Sequence, residues 1–144
     1  MNKEIKTEII LNGTKEKVWK VLTDFASYPE WNPFIVQIEG HVTEGTRLKN
    51  TLLNGGKKYQ FNPVLLTVER GESFSWLGSL FFKGLFDGLH SFKLEDAGNG
   101  QVKLIHSERF SGLLSGYILK KIGNDTRNNF VKMNQALKER VESL

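Results

Sequence analysis

The sequence predicts an α+β fold in the order β-α-α-β6-α: a curved antiparallel sheet wrapped around a long C-terminal helix, with an internal cavity between them. Three observations carry this reading. Period-two alternation of apolar and polar residues marks the first segment and six later ones between Phe34 and Phe110. Ile118, Ile122, Thr126, Phe130, Met133, Leu137 and Val141 then fall on one stripe at the helical period. No other segment is long enough to cover the apolar face of the sheet.

The elements follow in order. From Lys3 to Leu11, Ile5, Thr7, Ile9 and Leu11 share one side, opposite Glu4, Lys6 and Glu8, the mark of a half-buried strand. Asn12-Gly13 ends it. Thr14 is placed to cap a helix carrying Val18, Trp19, Leu22 and Phe25. A second short helix is expected from Asp24 to Asn32, stopped by Pro33. Phe34, Val36 and Ile38 form the inward side of the next strand, and Thr46, Leu48, Asn50 and Leu52 that of the one after. Tyr59 and Phe61 begin a strand whose phase slips at Pro63 and continues through Val64, Leu66 and Val68; a proline there marks a bulge or an edge. Phe74 and Trp76 follow. His90, Phe92 and Leu94 share one face, as do Val102, Leu104, His106, Glu108 and Phe110, with a hairpin at Asn99-Gly100 between them. The closing helix of about 25–30 residues is ~40 Å long at ~1.5 Å per residue. Gly123 weakens its middle.

Composition narrows the function. The chain has 144 residues, 39% hydrophobic and 25% charged, which is ordinary globular usage, and a single domain over 1–144 is expected. No apolar run is long enough to span a membrane, and the charged N-terminus, MNKEIKTEII, is unlike a secretory leader. With zero cysteines, disulfides and thiolate chemistry are excluded, and a cytoplasmic location is expected. The net charge of +4 comes from 20 Lys+Arg against 16 Asp+Glu. The basic residues are scattered in pairs, among them Lys57-Lys58 and Lys120-Lys121, so no nucleic-acid partner is expected. Arg47 and Arg109 are assigned to solvent.

Four stretches carry a family likeness. They are Tyr28-Pro-Glu-Trp-Asn-Pro-Phe34, Gly84-Leu-Phe-Asp-Gly-Leu-His-Ser-Phe92, His106-Ser-Glu-Arg-Phe-Ser-Gly-Leu-Leu114 and Phe130-Val-Lys-Met-Asn-Gln-Ala-Leu-Lys138. In this order, over essentially the whole chain, they resemble the SRPBCC (START-like) superfamily in its polyketide cyclase/dehydrase branch. The resemblance implies the helix-grip fold of the birch pollen allergen, with a deep hydrophobic cavity for lipids, polyketides or similar molecules. It also spans carriers, cyclases and Hsp90 activators, and implies no transferable catalytic set.

Within that frame, His90, His106 and Glu108 stand out. All three share the apolar side of neighbouring strands, where an ionised carboxylate needs a partner or a proton. They suit an anchor for a ligand's polar group, a buried network that sets strand register, or an acid–base pair. Trp31 and Asn32 sit where this fold narrows its cavity mouth, as ligand contacts or as plug and turn. Tyr59, Phe61, Trp76, Phe86, Phe92, Leu104, Phe110, Phe130 and Met133 complete the expected ligand-binding set. Phe81, Phe82, Leu85 and Phe86 read as a gate, a membrane-touching surface or folded-in core. No metal and no cofactor is expected. The expected partners are a small hydrophobic ligand and, transiently, a membrane surface, with the chain a monomer or homodimer. Binding or carriage leads; a cyclase/dehydratase-like enzyme and an interaction module similar to Hsp90 activators are the alternatives.

Overall fold

Alternation in the first segment becomes strand β1, Glu4–Asn12, with Ile5, Thr7 and Leu11 buried and Lys6 and Glu8 exposed. A computed structural model of the chain describes residues 3–80 and 82–144. Helix α1, Lys15–Thr23, starts where the Thr14 hydroxyl accepts from the Lys17 amide at 3.1 Å. That satisfies one of the donors left free at a helix start. The expected second helix forms as a 3₁₀ turn, Phe25–Ser27, followed by a single α-helical turn, α2, Tyr28–Trp31. Tyr28 is fully buried, and its hydroxyl donates to the Leu22 carbonyl at 2.5 Å. Burial, and then the nearby Asp24 carboxylate, push this phenol far above its ordinary value.

The strands form two antiparallel sheets. Strands β2, Ile35–Glu39, β3, Lys49–Asn54, and β4, Lys57–Phe61, make one in that order. Strands β5, Val64–Glu69, β6, Ser73–Leu80, β7, Phe86–Gly98, and β8, Gln101–Ser111, join β1 in the order β1-β8-β7-β6-β5. Backbone bonds from Leu48 N to the Pro63 carbonyl, 2.7 Å, and from Leu65 N to the Thr46 carbonyl, 2.9 Å, stitch the two together. The result is the curved antiparallel sheet of a helix-grip fold, closed by helix α3, Ser115–Glu142.

Three details correct the sequence reading. Seven strands follow α2 rather than six, because Pro63 has no N–H to continue a ladder; β4 pairs with β3 while β5 pairs with β6. Irregular register between Leu65 and Thr67 then buries Leu65 and leaves Leu66 45% exposed. A similar irregularity between Ile35 and Gln37 buries Phe34, Ile35 and Ile38 and leaves Val36 half-buried. The hairpin at Asn99-Gly100 is as expected, with Asn99 at φ 54°, a left-handed conformation that asparagine tolerates.

The helical stripe divides in two. Phe130, Met133, Leu137 and Val141 are at most 1% exposed, whereas Ile118, Ile122 and Thr126 are only half-buried. One half of α3 is fully buried core; the other half is partly buried at its edge. An added Cβ on Gly123 would meet nothing within 4 Å, so close strand packing does not account for that glycine. Phe81 lies outside the described residues. Its neighbours part company: Phe82 is 64% exposed, Leu85 half-buried and Phe86 buried. The turn holding them is clipped to the β8–α3 connection by bonds from Leu113 N and Leu114 N to the carbonyls of Gly84, 3.0 Å, and Leu85, 2.9 Å. Arg47 and Arg109 are exposed, as expected.

The division of α3 sets an asymmetry in stability. Leu137→Ala empties packed core and is expected to lower unfolding free energy by ~2–5 kcal/mol. Ile122→Ala trims a side chain that is not enclosed, with an expected loss of about 1 kcal/mol. Urea titration of both variants checks the contrast, and equal losses would contradict it.

Candidate functional site

Between the first half of α3 and the sheet lies a pocket of about 420 Å³, within the usual size range of small-molecule sites. Asn50, Leu52, Tyr59 and Phe61 of the smaller sheet form one side. Trp76, Phe86, His90, Glu108 and Phe110 of the larger sheet form another, and Ile118, Ile122 and Thr126 of α3 close it. Two glycines hollow the larger sheet at this place. Gly78 and Gly88 are paired across β6 and β7, and both line the pocket. A Cβ at Gly88 would overlap Oε2 of Glu108, so glycine there makes room for the carboxylate.

Register brings the polar residues together. His90 faces Trp76 on one neighbouring strand and Glu108 on the other, while His106 faces Phe92. His90 Nε2 and His106 Nε2 are 2.7 Å apart, and His90 Nδ1 is 3.5 Å from Oε1 of Glu108. Behind them, His106 Nδ1 lies 2.8 Å from Oδ1 of Asn134, whose Nδ2 donates to Oγ1 of Thr7 at 2.9 Å. The Thr7 hydroxyl in turn donates to the His106 carbonyl at 2.9 Å. The line runs from the pocket wall through β7 and β8 to α3 and β1.

Hydrogen-bond polarity assigns the protons along it. Because the Thr7 hydroxyl donates to a carbonyl, it must accept from Asn134, which leaves Asn134 Oδ1 to accept from an N–H on His106 Nδ1. His106 is fully buried, stacked on Phe130 at 4.1 Å and on Phe92 at 4.5 Å. Burial, and then His90 beside it, hold its pKa well below the ordinary value, against the opposing pull of the Asn134 bond. A neutral ring protonated at Nδ1 has a lone pair at Nε2, so His90 donates from its own Nε2. His90 Nδ1 then meets the Glu108 carboxyl. At 3.5 Å the two groups are close, but beyond direct hydrogen-bond length.

The expected ligand-binding residues separate by position. Tyr59, Phe61, Trp76, Phe86, His90, Glu108 and Phe110 line the pocket. Phe92, Leu104, His106, Phe130 and Met133 do not; each is at most 1% exposed in the core behind the wall. The physical reason is that the lower half of α3 packs directly on the sheet at these residues. Trp31 and Asn32 are also absent from the wall. Trp31 packs edge-on against Tyr28 at 5.0 Å, and Asn32 Oδ1 accepts from the amides of Phe34 and Ile35 at 2.9 and 2.8 Å, which is turn chemistry.

Sequence reasoning missed Asn50, Gly88, Asn134 and Thr7 as parts of the site. Asn50 had a signal: an amide on the inward phase between Leu48 and Leu52. It is 2% exposed and its Oδ1 has no hydrogen-bond partner. Both nitrogens of His106 are taken within the chain, so it has none to offer an ion. Among the described residues, no three His, Asp or Glu side chains converge in a way that could hold a metal. No helix among them is long and apolar enough to cross a membrane.

Residues 3–142 match the family described as "Polyketide cyclase / dehydrase and lipid transport". The chain belongs to that family. Solved structures agree on the fold. A hypothetical protein from Helicobacter pylori superposes with a TM-score of 0.81 at 18% identity, over 98% of this chain and 89% of that one. The ZhuI aromatase/cyclase of a Streptomyces species gives 0.79 at 13% identity, over 96% and 93%. A START superfamily protein of Mycobacterium smegmatis gives 0.75 at 17% identity, over 97% of both chains. No curated protein matches the chain in sequence.

The neutral, buried His106 makes stability depend on pH with a definite sign. Its folded pKa lies below the ordinary 6.5, so the unfolded chain binds this proton first on acidification. Its contribution is therefore complete above pH 6.5 and is lost as pH falls below it, by up to ~1.4 kcal/mol per pH unit. His106→Gln is expected to be less stable at neutral pH yet to show a shallower acid slope. Urea titrations across pH measure both, and an unchanged slope would refute the assignment.

Proposed function

We propose that this protein binds a small, largely apolar molecule in the pocket between the sheet and the first half of α3, with Glu108 and His90 holding the ligand's polar group. The carrying observation is the pocket's wall: mostly apolar side chains, with Glu108 and His90 side by side among them. Family membership supports the reading, since lipid transport is among the family's described roles. Affinity comes mainly from removing apolar surface from water, at ~25 cal/mol per Å². The polar pair fixes orientation.

The reading is tested with a neutral apolar dye, Nile red, whose emission rises on leaving water. Wild-type protein is expected to bind it, and Ile122→Trp, which fills the pocket from α3, to weaken binding by about tenfold or more at unchanged thermal stability. Equal binding by the two proteins would place the dye elsewhere and defeat the proposal.

A second reading rests on the proximity of Glu108 and His90 at the pocket wall. A proton donor and acceptor at the pocket wall can enolise a ligand carbonyl and promote aldol closure or dehydration, and one structural relative is an aromatase/cyclase. Incubation with a reduced-chain poly-β-ketone separates the two. Turnover by the wild type and its loss in Glu108→Gln, with dye binding retained, favours the enzyme; binding without turnover favours the carrier.

A further inference from the structure

We infer that the pocket takes a neutral molecule bearing hydroxyl groups, received by Glu108 and Asn50, and rejects carboxylates such as free fatty acids. The inference rests on the binding reading above and specifies the ligand's chemistry.

The pocket's titratable groups are Tyr59, His90 and Glu108; among the described residues no lysine or arginine reaches its wall. His90 is the basic side chain on that wall. Its Nε2 donates to His106, 2.7 Å away, and its Nδ1 faces Oε1 of Glu108 at 3.5 Å. An anionic ligand therefore finds no lysine or arginine on the wall and reaches His90 only beside a carboxyl group.

Glu108 presents the opposite chemistry. A carboxylate is acceptor-only, so Oε2 of Glu108 accepts. No hydrogen-bond partner holds it among the described residues, and it lies over Gly88, which leaves it space. A ligand hydroxyl satisfies this oxygen by donating. A ligand carboxylate would set a second acceptor, charged and desolvated, against it.

Asn50 on β3 adds a second acceptor. It lines the pocket, is 2% exposed, and its carboxamide oxygen has no partner. Leaving such an acceptor unsatisfied in the interior is unfavourable, and a group that donates to it restores the missing bond. A hydroxyl both donates and accepts, so it fits either end of the amide; a carboxylate only accepts. Asn54, by contrast, is already bonded to Asn129 at 3.1 Å.

Calorimetric titration at neutral pH with dihydroxynaphthalene and with naphthoate, matched in ring size, tests the inference. Dihydroxynaphthalene is expected to bind wild-type protein at least about tenfold more tightly than naphthoate. Glu108→Gln introduces an amide that can donate, and should shrink the difference to about threefold or less; Asn50→Leu should weaken dihydroxynaphthalene several-fold and leave naphthoate unchanged. Naphthoate binding as tightly as dihydroxynaphthalene, or Nile red binding while dihydroxynaphthalene does not, overturns the inference and leaves the binding reading standing. Failure of all three probes overturns both. The wild-type comparison needs no variant to fold.

Discussion

His106 has both ring nitrogens engaged before any ligand arrives, and the chemistry of the pocket follows from that. Asn134 on α3 and Thr7 on β1 are fixed by the packing of helix on sheet, and together they dictate which nitrogen of His106 carries the proton. His106 then dictates the donor of His90, and His90 leaves its remaining nitrogen to Glu108. The direction of every bond is inherited from the one behind it. A buried imidazole with an undecided tautomer would pass that indecision to the pocket wall. Here the core orders the polar pole of the site from behind.

The same arrangement explains how a carboxyl group persists on an apolar wall. Glu108 has 19% of its side chain exposed and sits 3.5 Å from His90, so neither full desolvation nor full hydration applies. The His90 ring beside it offers a polar neighbour in place of hydrocarbon. The glycine opposite allows it to lie close to the sheet instead of across the pocket. Removing one partner would leave the other uncompensated, which is more damaging than never having buried the pair.

Much of this was legible in the sequence. Period-two alternation placed His90, His106 and Glu108 on one face of adjacent strands, because β-geometry allows no other reading of Val102 to Phe110. The stripe from Ile118 to Val141 located the helix. Depth was not legible: periodicity says which way a side chain points and not how far the facing element stands. His106 and Glu108 share a phase, yet one is sealed in the core and the other borders a void. Register slips at Val36 and Leu66 were hidden for a related reason, since an irregular residue in a strand changes the phase without changing the composition. Asn134 needed the structure as well, because its partners lie far away in sequence.

The void itself is a consequence of where α3 meets the sheet. Phe130, stacked on His106, is the first residue of the helical stripe to be wholly buried; N-terminal to it, Thr126, Ile122 and Ile118 are half-buried and line the pocket. Gly78 and Gly88 withhold side chains from the sheet at the same level, and Gly88 pairs with Phe110 and not with a residue that could reach across. Filling that gap with larger residues would add packing, and would also cover the Glu108 oxygen and the Asn50 amide. Both polar groups thus stay on a wall that is otherwise mostly apolar.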